Sequence, residues 1–152
     1  LMSALLAVDA GVRTGLALFD RQGRLAWCRS HNLGNISRLK KAASGTLFGL
    51  PGLEYVVVEG GGQTAGVWEY AAKKRGLTFL LIQADHWRPD FLLPRERQSG
   101  HKAKAAARTL VEKIMRAEGW SSPTPPRHDA AEAALIGLWA VIHLGWREMP
   151  RL

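Results

Sequence analysis

A chain of 152 residues, 47% hydrophobic and 22% charged, holds one ordinary core and is too apolar for global disorder, so one domain over residues 1–152 is expected. No apolar run reaches the roughly 18–20 residues of a membrane span, the start LMSALLAV lacks the basic stretch of a secretory leader, and the lone Cys28 can form no internal disulfide, all of which indicate a reducing compartment such as the cytoplasm or an organellar or host-cell interior. A net charge of +8 points instead to a polyanionic partner, because no amphipathic segment accompanies it to anchor the chain to a membrane.

In chain order, Ala4 to Val8 and Gly15 to Asp20 read as short strands joined by a tight glycine-bearing turn. A second turn, Asp20 to Arg24, leads to a third strand over Leu25 to Leu33, which completes an antiparallel meander. Ile36, Leu39, Leu47 and Leu50 space a helix weakened by Gly45 and Gly49. Tyr55, Val56, Val57 and Val58 in succession describe a central strand buried on both faces. A helix over Gln63 to Arg75 stops at Gly76, and Leu77 to Ala84 reads as another buried strand. Asp85 to Gly100 mixes Trp, Pro and charge without a period and reads as a loop. Lys102 to Glu118 is an Ala-rich helix, Ser121 to Pro126 an irregular connector, and His128 opens the last helix. The pattern is that of a mixed α/β layer structure with strands at its centre.

Four acids stand out. Asp9 follows the first strand and Glu59 the most apolar one; Asp129 and Glu132 open the last helix three residues apart, on one face. Each has a Gly or Ala beside it, which leaves room for a ligand to approach. Taken singly, Asp9 suits a turn and the pair Asp129 and Glu132 suits a helix cap. Together they suit hard divalent cations, which take oxygen ligands, and two such ions can activate water and stabilise the leaving oxygen in phosphodiester cleavage.

The segments AVDAGVRTGLALFD, YVVVEGGG and HDAAEAALIGLWA, in this order over nearly the whole chain, resemble the RuvC-type Holliday-junction resolvases of the ribonuclease H-like superfamily. The resemblance implies a ribonuclease H-like α/β fold: a mixed five-stranded sheet, three antiparallel strands and then parallel ones, flanked by helices. It implies a homodimer that nicks a DNA four-way junction symmetrically, with two Mg2+ ions per site and Mn2+ able to substitute. Asp9 would bridge the ions, Glu59 and Asp129 would each complete one, and Glu132 would hold or polarise the water. Ala10 stands where a proline is common in the family, and Glu132 where Asp is commoner. GGGQTAG after Glu59 replaces a more apolar loop, which leaves junction selectivity and sequence preference open.

Between Lys73 and Arg116 eleven Lys and Arg face four acids. Lys102, Lys104 and Arg108 on the Ala-rich helix, and Arg88, Arg95 and Arg97 in the expected loop, are candidate phosphate contacts. His128 suits a surface or capping role. Trp87, in that basic loop, is a candidate for stacking on a base, whereas Trp68 reads first as core. Trp139 and Trp146 read as core or as a dimer face. Alternative functions are a nuclease of the same fold acting on RNA in hybrids or another nucleic acid, a non-catalytic nucleic-acid-binding module, and an actin-like or sugar-kinase-like ATP-binding domain. DAGVRTG matches the phosphate loop of the last, but 152 residues supply only one of the two domains that close around a nucleotide.

Overall fold

The computed structural model describes residues 3–121 and 126–152; the middle of the expected connector, Ser122 to Pro125, lies outside them. Strands β1 (Ser3–Asp9), β2 (Arg13–Asp20) and β3 (Leu25–Asn32) form the expected meander, followed by α1 (Ile36–Phe48), β4 (Tyr55–Glu59), α2 (Gly62–Lys74) and β5 (Thr78–Ile82). Helices α3 (Ala84–Phe91), α4 (Gly100–Glu118) and α5 (His128–His143) complete the chain, with a short 3-10 turn at Pro94–Arg97. The sheet order is β3-β2-β1-β4-β5. β1 pairs antiparallel with β2 and parallel with β4, and β4 pairs parallel with β5. This is the expected mixed sheet of three antiparallel strands followed by parallel ones, flanked by helices.

Successive side chains of a strand point to opposite faces, and the two cores follow that alternation. Leu5, Ala7, Ala17, Phe19 and Val57 pack on the face covered by α4 and α5. Leu6, Val8, Leu16, Leu18, Val56 and Val58 pack on the face covered by α1 and α2. Helix α5 is apolar almost all round, with eleven of its sixteen residues buried, which makes it an interior helix rather than a surface one. Among the described residues no helix is long and apolar enough to cross a membrane.

Three expectations need correction. Asp85 to Gly100 is not a loop: it contains α3, which keeps Pro89 inside it. Burial of Trp87, fully inaccessible in the α5-side core, and an N-terminal capping box between Gln83 and His86 outweigh the proline. Trp87 is therefore a core residue, with no face free to stack on a base; Trp68, also buried, is core as expected. β5 is not fully buried but lies at the edge of the sheet, with Leu81 about half exposed at 49%.

Candidate functional site

The parity of the strands delivers the first two carboxylates. Asp9 and Glu59 share the parity of Ala7 and Val57, so both belong to the α5 face, and they are register partners across the parallel β1–β4 pair. The Ala10 amide donates to the Glu59 carbonyl at 3.0 Å, which holds the two strand ends together. Asp9 also partners Gly15 on β2. A Cβ at Gly15 would stand 1.9 Å from the Asp129 carbonyl oxygen. The space that this glycine leaves is therefore occupied by the first turn of α5, not by a phosphate. A second close approach lies deeper, where a Cβ at Gly137 would meet the Phe19 ring at 2.1 Å. These two missing side chains let α5 lie on β2 and carry Asp129 and Glu132 to Asp9. The Ser30 hydroxyl fixes the start of the helix by accepting from the Ala130 amide at 3.1 Å.

Asp129 and Glu132 do not form a helix cap. The N-cap is Arg127, without a side-chain cap bond, so the capping reading is excluded. Asp129 is half-buried in the first turn, where a negative charge suits the helix dipole. Glu132 is buried and accepts from Arg88 at 2.7 Å. Arg88 thus points inward from α3 into the carboxylate cluster instead of lying on an open basic surface. A buried pair of this kind is strongly destabilised when one partner is removed, by about 3–5 kcal/mol.

Burial and the neighbouring Glu132 and Glu59 push the Asp9 carboxyl up from 3.8 to about 9, with a hydrogen bond to Glu132 and the charge of Asp129 adding to the rise. Burial and Glu132 also raise Glu59, partly offset by its hydrogen bond with Asp9 and by the charges of Arg88 and Lys104. Without a cation this crowding favours the protonated form of Asp9. The donor set is all oxygen, convergent and mutually repelling once ionised, which fits a hard divalent cation. It is not drawn into a ligating shell: among the described residues no three His, Cys, Asp or Glu side chains are grouped closely enough to hold an ion.

The basic candidates divide by position. Lys104 is exposed near the carboxylates and Arg108 forms a loose pair with Glu112 at 3.6 Å. Lys102 is exposed, with its Nζ donating to Gln98 Oε1 at 3.0 Å. Arg95 is exposed on the 3-10 turn, while half-buried Arg97 donates to the Leu92 carbonyl at 3.2 Å. The His128 ring meets the Lys104 carbonyl at 3.2 Å, which joins α5 to α4. Trp139 ties α5 to α3 by donating to Asp90 at 2.9 Å, and Trp146 packs edge-on against Tyr55.

No family model matches the chain, and no curated protein does. Among solved structures it is similar to the catalytic core domain of BIV integrase, at 15% identity and a TM-score of 0.39, over 87% of this chain and 80% of that one. At that distance the likeness carries no part of a functional assignment.

Proposed function

We propose that the protein is a divalent-metal-dependent nuclease of the ribonuclease H-like type, and that its substrate is a DNA four-way junction cut by symmetric nicking. The observation that supports this most is the convergence of Asp9, Glu59, Asp129 and Glu132 from β1, β4 and α5 in a protein that carries a net charge of +8. A cluster of carboxylates has little reason to persist in a basic protein except to hold cations. The junction as substrate rests on the ordered likeness to RuvC-type resolvases.

Asp9, Glu59, Asp129 and Glu132 would hold Mg2+ or Mn2+, and the ions would supply activation of water and charge stabilisation at the scissile phosphate. Arg88 pairs with Glu132 and orients it from its buried side, and Lys104 places a positive charge beside Glu59, where a phosphate would arrive. A homodimer would present two such sites to a junction, as paired nicks require. The glycine of DAGVRTG that lies against α5 leaves no phosphate loop at Gly15, which disfavours the ATP-binding alternative.

The test compares cleavage of a labelled four-way junction, a linear DNA duplex and an RNA/DNA hybrid, with Mg2+, Mn2+ or EDTA. Paired nicks confined to the junction, lost in EDTA and reduced by a factor on the order of a hundred or more in Glu59→Gln, are expected. Cleavage of the hybrid alone would replace the substrate, and no cleavage of any of the three would sink the nuclease reading.

A further inference from the structure

Next to the carboxylates lies a second feature, a polar cleft of about 340 Å³. Four parts of the fold build it: the start of β2, the end of β3, and the N-terminal halves of α4 and α5. Arg13, Lys104, Arg108 and Arg127 line it, and Asp129 is the only acid among its lining residues. Arg13 opens β2, in register with Asn32 at the end of β3. Among the described residues Arg13, Lys104 and Arg127 make no ion pair, and Arg108 has only its loose contact with Glu112.

Four positive charges gathered in a polar cleft with one lining carboxylate, Asp129, and the loose contact of Arg108 with Glu112 repel one another, and the missing complement is an anion. The cleft's polar walls suit phosphates better than an apolar peptide, and four cations suit several phosphates better than one. Asp129 belongs both to this cleft and to the carboxylate cluster, so the two adjoin. We infer that the cleft holds the phosphodiester backbone of the nucleic-acid strand flanking the scissile phosphate, with Arg13 and Arg127 gripping phosphates beyond the reach of Lys104. This assignment rests on the nuclease reading and adds to it the side from which the strand arrives. DNA and RNA share that backbone, and the experiment has an arm for each.

Binding is measured by fluorescence anisotropy in EDTA over a series of salt concentrations, with a labelled DNA strand, the RNA strand of the same sequence and a DNA four-way junction. The Arg13→Ala, Arg127→Ala double variant is compared with Lys40→Ala, Lys41→Ala, which removes equal charge from the exposed side of α1. The cleft variant should bind roughly tenfold or more weakly, and its slope of log affinity against log salt should shrink by about 2, one for each phosphate that the missing arginines no longer neutralise. The α1 variant should stay close to wild type. Equal affinity and slope in the two variants would overturn the assignment, as would failure of the wild-type protein to bind any of the three probes. If the double variant melts early, Arg13→Gln alone decides, with a slope change of about 1 expected. Binding abolished in the cleft variant, with no cleavage by wild type in Mg2+ or Mn2+, would keep the cleft and remove the nuclease. Cleavage by both, with unchanged binding, would do the reverse.

Discussion

Asp9 ends a strand in which Leu5, Leu6, Ala7 and Val8 are completely buried, and Glu132, Glu59 and Asp129 all act on it. Its carboxyl is at about 9 in the folded protein against an ordinary 3.8, so the folded state favours the protonated form. By linkage its contribution to stability is full below the ordinary value and is lost as pH rises toward the folded value. Metal-free protein should therefore melt at progressively lower temperature across that interval, followed by thermal melts in EDTA. Asp9→Asn should flatten the profile and raise the melting temperature at its alkaline end; a pH-independent profile in wild type would contradict the cluster. Asp9 and Glu59 were legible in the sequence because an apolar run announces both its burial and its end. Arg88 was not, since HWRPDF has no period and its proline reads as a break. Only the tertiary burial of Trp87 turns the segment into a helix and its arginine inward.

At the level of elements, the contact that assembles the site is α5 against β2 through Gly15. A methyl group there has no room beside the Asp129 carbonyl, so the start of α5 must move. Gly15→Ala should destabilise the protein by about 1–3 kcal/mol and lower cleavage further than stability alone explains, because Asp129 and Glu132 shift together relative to Asp9. Gly66→Ala is the natural comparison. It lies on α2 in open space, and alanine favours a helix over glycine by about 1 kcal/mol, so melts should show it neutral or stabilised. The strands and long helices could be read from periodicity, but the purpose of Gly15 could not. In the sequence Gly15 lies between Thr14 and Leu16 at the start of a strand, and only the fold shows that it faces Asp9 and that a helix backbone, not a ligand, fills the space. The same limit applies to β5, whose apolar run does not reveal that among the described residues no strand lies beyond it.

For the whole molecule, a net charge of +8 and a convergent acidic site act in opposite senses on their partners. Under the proposed function, positive surface would recruit a polyanion, and the carboxylates would recruit cations that bind the folded state and not the unfolded chain. Saturating Mg2+ should therefore stabilise the protein, by about 2.7 kcal/mol at a hundred times the dissociation constant. For a chain near this length that is roughly 2–4 °C per kcal/mol, readable by calorimetry with and without Mg2+. The gain should disappear in Asp9→Asn. Absence of any rise in wild type would count heavily against a metal site.

The position of α5 has a consequence for how the molecule comes into being. Asp9 and Glu59 leave the ribosome before Asp129 and Glu132, which belong to a centrally buried helix. Until that helix has emerged, one face of the sheet lies bare, its side chains Leu5, Ala7, Phe19 and Val57 without the cover they have in the finished protein. Domains of this size fold as units, so a nascent chain cannot gather the four acids and, under the proposed function, could not cut nucleic acid. Under that proposal, activity would be withheld, by the order of synthesis alone, from chains in which α5 has not yet emerged.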